Sequence, residues 1–156
     1  MSYKKILVPY DESDHAKAAL LEAVKIAAPD TMIQVIEVSA PPQDLVYSSM
    51  NQTSGFTIGV VTPPENFAEL VSARTEEATA RLTASVNEVI GDCECTVTAE
   101  VIYGIYTVET ILDTAKDSGC DLIAMGCRGL GAIRGALGSV SYAVLRSAEV
   151  PVLVVK

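Results

Sequence analysis

Short runs of apolar, largely β-branched residues alternate with segments of helical spacing along the chain. β-branched residues favour strands, and apolar residues that recur every three or four positions indicate the buried face of a helix. Strands that alternate with helices require βαβ crossovers, which give a parallel sheet with helices on both faces. The sequence therefore predicts a doubly wound α/β fold with five strands, at residues 6–8, 32–38, 95–103, 122–125 and 151–155. It also predicts four helices: one that Ser13 caps and whose apolar positions run from 16 to 27, and others at 67–90, from 108 to about 118 and from 139 to about 146.

The length and the charge of the chain limit its organisation and its partners. The chain has 156 residues, of which 49% are hydrophobic, and we interpret residues 1–156 as one domain with a substantial core. Residues 40–64 lack sustained periodicity, which predicts a long surface excursion. The net charge is −9, without a cluster of Lys and Arg, and this argues against nucleic acid as a partner.

Targeting and cysteine patterns indicate a cytoplasmic protein. The first nine residues contain too few apolar side chains for a signal peptide, and no stretch reaches the roughly 20 apolar residues of a membrane span. His15 is the only histidine, which argues against a His-rich metal site. We expect free thiols, because no C-x-x-C pair occurs among the four cysteines, Cys93, Cys95, Cys120 and Cys127.

Five of the ten glycines fall between residues 126 and 138, after the fourth predicted strand and before a helix. The segment lacks the lysine of a G-x-x-x-x-G-K-[ST] loop, and Arg134 stands where the last glycine of G-x-G-x-x-G would be, so a standard P-loop and a dinucleotide site are both disfavoured. Glycines let backbone N–H groups approach an anion, and the helix start at Gly138 favours phosphate. The segment is either a phosphate cradle or a tight turn whose glycines allow close packing.

Four segments of the chain, in order, resemble the universal stress protein family: residues 6–13 (ILVPYDES), 125–129 (MGCRG), 138–141 (GSVS) and 150–155 (VPVLVV). The resemblance covers essentially the full chain. It implies a Rossmann-like fold of the adenine nucleotide alpha hydrolase type, with sheet order 3-2-1-4-5. Family members either bind ATP through G-x2-G-x9-G-[ST] or lack this motif and bind no nucleotide. The resemblance places the chain in the ATP-binding group, with Mg²⁺ able to offset the phosphate charge, although only eight residues separate Gly129 from Gly138.

The resemblance also implies a set of nucleotide-binding residues. Asp11 would accept a hydrogen bond from a ribose hydroxyl or from the adenine amine, the backbone of Val38 would read adenine, and Met125 would pack on the base. The glycines and the helix start would hold the phosphates, with Arg128 as a secondary candidate. The full predicted set is Pro9, Asp11, Val38, Met125, Gly126, Arg128, Gly129, Gly138, Ser139 and Val140.

Several of these residues have ordinary structural alternatives. Asp11 is also suited to the turn ahead of Ser13, and Ser139 is suited to capping its helix. Arg128 and Arg134 could simply be solvated. A reactive thiol at Cys127 is less favoured than a small residue tolerated in a turn, and His15 is interpreted as a surface histidine.

Three functions are compatible with the sequence. The first is an ATP-binding regulatory protein of the stress response that forms a homodimer through the strand at 151–155, whose hydrophobic edge is otherwise uncovered. The second is a slow ATPase or phosphotransferase, for which only Asp11, Glu12 and Asp14 offer carboxylates near the site, and no catalytic residue is assigned. The third is a dimeric interaction module that binds no nucleotide.

Overall fold

The computed structural model describes residues 2–41, 67–130 and 137–156, which form a parallel sheet with helices on both faces. The predicted excursion at 40–64 lies outside the described residues except for residues 40 and 41, as do Gly131, Arg134 and Gly135. The interpretation of the chain as one domain stays a prediction. The elements are β1 (Lys5–Pro9), α1 (Asp14–Ile26), β2 (Met32–Ser39), α2 (Phe67–Ile90), β3 (Thr96–Tyr103), α3 (Thr107–Asp117), β4 (Leu122–Gly126), α4 (Ser139–Ser147) and β5 (Val152–Val155).

The five strands are parallel and lie in the order β3-β2-β1-β4-β5, which confirms the predicted doubly wound fold and its strand order. Strand β1 lies at the centre, pairing with β2 on one side and with β4 on the other. All five residues of β4 are buried, as expected for a strand covered on both faces. The edge strands are more exposed: β5 is half-buried throughout, and outward residues of β3 alternate with partly buried ones over most of its length.

Each face of the sheet has its own hydrophobic core. On one face, side chains of β1 and β2 such as Val8 and Val35 pack with Leu20 of α1 and Leu82 of α2. On the other, Leu7, Ile36 and Ile123 pack with Ile111 of α3 and Val144 of α4. The helices therefore fix the carboxyl ends of the strands from both sides, which is the edge where ligands bind in sheets of this kind.

The first helix shows how local sequence sets an element boundary. The Ser13 hydroxyl accepts a hydrogen bond from the Ala16 N–H at 3.2 Å, so Ser13 is the N-cap, as predicted. The buried face of α1 consists of small side chains and one leucine, and this allows the helix to lie close to the sheet. None of the helices in the described ranges is long and apolar enough to cross a membrane.

Candidate functional site

A cavity opens where the chain leaves β1 and β4 toward opposite sides of the sheet. Its volume is about 570 Å³, within the range of pockets that hold cofactors. It lies beyond the carboxyl ends of β1, β2 and β4, at the position where the strand order reverses. All ten residues predicted from the sequence line it: Pro9, Asp11, Val38, Met125, Gly126, Arg128, Gly129, Gly138, Ser139 and Val140.

The loop after β1 holds Asp11 in a fixed orientation. Its Oδ1 atom accepts hydrogen bonds from the Ser13 hydroxyl at 2.5 Å and from the Ser13 N–H at 3.2 Å. The intervening Glu12 has φ of 62°, a left-handed conformation that costs a non-glycine residue free energy and that often occurs at functional sites. Asp11 thus forms the predicted turn and also lines the cavity, so the two interpretations of this residue are compatible.

The loop after β4 lies directly against the loop after β1. A Cβ atom added at Gly129 would overlap the Asp11 Oδ2 atom. Gly129 therefore leaves space for the second carboxylate oxygen of Asp11, whose first oxygen is held by Ser13.

Gly126 permits an equally close contact between the end of β4 and the start of α1. A Cβ atom at this position would lie 2.7 Å from the His15 carbonyl carbon and 2.9 Å from the Ala16 nitrogen. The first turn of α1 can pack on β4 only because this residue has no side chain. His15, interpreted as a surface histidine, contributes its backbone to this contact.

The start of α4 lines the cavity without a side-chain cap. Gly138 is the N-cap and Ser139 is the first helical residue, so the alternative that Ser139 caps the helix is wrong. The reason is positional: a cap must precede the first helical residue, and glycine there has no side-chain oxygen to satisfy the first N–H groups. Residues 138–141 all line the cavity, so the helix N-terminus, with its partial positive charge, borders this space.

Two hydrogen bonds hold the start of α4 against the end of β4. The Gly138 N–H donates to the Cys127 carbonyl at 2.8 Å, and the Ser141 hydroxyl donates to the Gly126 carbonyl at 2.8 Å. Ser141 is buried, and its bond satisfies the carbonyl of the last residue of β4. Ser141 is thus a positioning residue that the sequence did not single out for the site, although it ends the GSVS segment.

Arg128 brings positive charge to the same part of the cavity. Its Nε atom is buried and has no hydrogen-bond partner among the described residues. An unpaired buried donor on a charged group is costly, so the arrangement favours an anionic acceptor in the cavity. The sequence indicates Arg128 only as a secondary candidate for phosphate binding. The buried Nε atom without a partner among the described residues makes it a stronger candidate.

Other lining residues come from elements that no motif identified. Thr107 and Ile111 lie on the first turns of α3, and Ile36 lies on β2. Ligands in such sheets lie beyond the carboxyl ends of the strands, which include the end of β3, but no sequence pattern shows that α3 borders the cavity. The remaining additions are Tyr10, Ala16, Leu130 and Leu137.

Some residues considered from the sequence do not line the cavity. Cys127 is only 4% exposed, and its N–H donates to the Val155 carbonyl at 2.6 Å, so its thiol belongs to the buried interior. Glu12 and Asp14 are not among the lining residues either. Within the described ranges, no group of three or more His, Cys, Asp or Glu side chains is placed to hold a metal ion.

Two solved nucleotide complexes have the same fold. One is a universal stress protein from Archaeoglobus fulgidus in complex with dAMP, with a TM-score of 0.59 and 19% identity, matched over the whole of both chains. The other is a universal stress protein in complex with cAMP, with a TM-score of 0.59 and 20% identity over 99% of this chain and 98% of the other. At these identities the likeness concerns the fold.

Closer relatives give the family. The universal stress protein MJ0577 of Methanocaldococcus jannaschii is 32% identical over 99% of this chain and 95% of its own length. A solved structure of MJ0577 superposes with a TM-score of 0.72, covering all of this chain and 97% of the other. The model of the family described as "Universal stress protein family" matches residues 2–156. On this full-length match, the chain belongs to the universal stress protein family.

Proposed function

We propose that the protein is an ATP-binding regulator of the stress response, with the triphosphate held between the start of α4 and Arg128. The observation that carries the proposal is that the uncapped helix N-terminus and Arg128, whose buried Nε has no partner among the described residues, line the same cavity. The helix N-terminus and the Arg128 guanidinium both carry positive charge that would favour an anionic group in this cavity. Two structural neighbours of the same family that were solved with dAMP and cAMP support an adenine nucleotide as the ligand class.

The short glycine spacing does not prevent the two ends of the motif from meeting. Gly138 donates its N–H to Cys127, and a Cβ at Gly138 would lie 3.4 Å from the Arg128 Cα atom. The residues before and after the spacer between Gly129 and Gly138 are therefore in contact, although this spacer is one residue shorter than in the family pattern. This contact supports the ATP-binding interpretation over a module that binds no nucleotide.

The other end of the cavity suits a base. Val38 and Met125 line the cavity with apolar side chains on which a base would pack, and the Asp11 Oδ2 atom would accept a hydrogen bond from the nucleoside. Because the Asp11 carboxylate also faces Gly129, where the phosphates would bind, Mg²⁺ would offset the repulsion between this carboxylate and the triphosphate.

The nucleotide content of freshly purified protein tests the proposal. We expect ATP in an amount close to one molecule per chain after denaturation, or, if the nucleotide is lost during purification, a thermal shift on addition of ATP with Mg²⁺. ADP together with released phosphate would favour the slow ATPase. Absence of both bound nucleotide and a thermal shift would overturn the proposal in favour of the nucleotide-free module.

We further propose that the protein forms a homodimer through the free edge of β5. The Ile123 N–H donates to the Pro151 carbonyl and the Cys127 N–H donates to the Val155 carbonyl, so residues 151 and 155 face β4. Alternation along a strand then directs the backbone groups of Val152 and Val154 away from β4. The exposed side chains of Tyr142 and Leu145 on α4, the helix that precedes β5, add apolar surface beside this edge. A stable interface buries about 800 Å² per partner, so it would need such surface in addition to the strand.

Val154→Pro is expected to convert the dimer to a monomer. Proline removes the outward N–H of Val154, and it is tolerated on an edge strand because the ladder to β4 does not use that group. Val154→Ala is the matched control. It also removes the valine side chain, but it retains the backbone N–H, so this variant should stay dimeric. Light scattering of both variants measures the result, and an unchanged mass for Val154→Pro would contradict the β5 interface.

A further inference from the structure

The connection between α2 and β3 contains two cysteines separated by one residue. Gly91, with φ of 56°, ends α2 in a left-handed conformation and returns the chain toward the sheet. Cys93 and Cys95 follow within this connection, and both are partly exposed. In contrast, Cys120 and Cys127 are only 5% and 4% exposed.

The Cys93 thiol lies against the backbone of Cys95. The Cys93 thiol donates a hydrogen bond to the Cys95 carbonyl with a separation of 3.5 Å. Burial raises the pKa of the Cys95 thiol, and a hydrogen bond and charge interaction with the Cys93 thiol raise this pKa further. Because the two cysteines are one residue apart and the Cys93 thiol already reaches the Cys95 backbone, the bond between the sulfurs would close within this connection.

A metal site explains this pair less well than redox chemistry does. Structural zinc requires four ligands, and no group of three or more ligating His, Cys, Asp or Glu side chains occurs in the described part of the chain. Two adjacent thiols with access to solvent are instead sufficient for thiol–disulfide exchange, which needs one attacking and one resolving cysteine.

We propose that Cys93 and Cys95 form a redox-active thiol pair that closes to an internal disulfide by exchange with a low-molecular-weight disulfide such as oxidised glutathione. The Cys93 thiolate attacks one sulfur of the small disulfide, whose S–S bond breaks and releases one thiol. The Cys95 sulfur then attacks Cys93, forms the internal bond and displaces the second thiol. Two protein thiols are oxidised, one disulfide is reduced to two thiols, and the two protein protons leave on the products.

The order of attack follows from the environment of the second cysteine. The attacking species is the thiolate, and burial together with the neighbouring thiol disfavours the thiolate of Cys95. Cys95 also packs against the core, which keeps it in place to resolve the mixed disulfide. Cys93 is therefore the attacking residue and Cys95 the resolving residue.

The thiol pair lies far from the nucleotide cavity. Cys95 immediately precedes β3, whereas the cavity lies at the carboxyl ends of the strands, and the eight residues of β3 span roughly 23 Å. The proposal therefore does not depend on nucleotide binding and can be tested whether or not the protein binds ATP.

The test is titration of the reduced full-length protein with oxidised glutathione, followed by alkylation of the remaining thiols and peptide mapping by mass spectrometry. We expect the wild-type protein to lose two alkylatable thiols and to yield one peptide with a Cys93–Cys95 disulfide, without attached glutathione. Cys120 and Cys127 act as internal controls and should remain reduced. Stable glutathione adducts, a disulfide between other cysteines, or four reduced thiols under fully oxidising conditions would overturn the proposal.

Two variants test the roles of the cysteines. Cys95→Ser should accumulate a glutathione adduct on Cys93, because no resolving thiol remains. Cys93→Ser should react about tenfold more slowly, because the partly buried Cys95, whose thiolate is disfavoured, would have to attack first. Equal rates for the two variants would overturn the order of attack, and the wild-type peptide map tests the pair itself without relying on either variant.

Discussion

Replacing Gly129 with alanine is expected to weaken ATP binding by about 10- to 100-fold while leaving the fold intact. The added Cβ would occupy the position of the Asp11 Oδ2 atom, and the carboxylate would have to rotate away. Loss of one hydrogen bond to a charged group costs about 1.5–3 kcal/mol, which corresponds to this change in affinity. Gly129 is exposed, but rotation of the Asp11 carboxylate would disturb its hydrogen bonds from Ser13, so the stability should fall by about 0.5–1.5 kcal/mol.

A double-mutant cycle separates this mechanism from general damage to the loop. Asp11→Ala should itself weaken ATP binding, and adding Gly129→Ala to it should cost little more, because the displaced carboxylate is already absent. Calorimetric titration of the four proteins measures the coupling, and thermal unfolding verifies that each is folded. Additive losses would show that Gly129 acts independently of Asp11, and unchanged affinity in Gly129→Ala would contradict the cradle.

The element order was predictable because its determinants are local. Helical spacing and β-branched runs along the chain specify which segments form strands and helices, and the Ser13 cap is readable from a side chain next to an apolar pattern. Element ends were predictable only to within about a residue: α3 begins at Thr107 and ends at Asp117, where the prediction runs from 108 to about 118. Its last turn is completed by backbone hydrogen bonds such as Ser118 N–H to Thr114 carbonyl, which any residue type can form.

The candidate site was predictable only in part, because its contacts join distant segments. Motif resemblance identified Asp11 and Gly129 separately, but their contact depends on how the loops after β1 and β4 turn toward each other. Thr107 and Ile111 line the cavity because of where α3 packs on the sheet. No sequence motif indicates the position of such a crossover helix. The burial of the Cys127 thiol likewise depends on tertiary packing, which the neighbouring glycines do not reveal.

The role of Gly126 also depends on a contact between distant segments and was not predictable from the sequence. Gly126→Ala is expected to destabilise the protein by about 1–3 kcal/mol. The added Cβ would lie 2.7–2.9 Å from backbone atoms of His15 and Ala16 in the first turn of α1. Backbone atoms cannot rotate away as the Asp11 carboxylate can, so the helix must shift from β4, and overpacking of this kind costs free energy in the stated range. Thermal unfolding should show a melting temperature lower by roughly 2–12 °C.

Gly138→Ala is the matched control for this effect, because its nearest atoms, the Cys127 carbonyl oxygen and the Arg128 Cα, would lie at 3.3 and 3.4 Å and need yield only slightly. Its melting temperature should fall less than that of Gly126→Ala. The two substitutions add the same methyl group at glycines that line one cavity, so the difference between them isolates the contact with α1. Equal melting temperatures would mean that α1 does not pack on Gly126 as closely as described. This contact matters for the site because the start of α1 follows directly on the loop that carries Asp11.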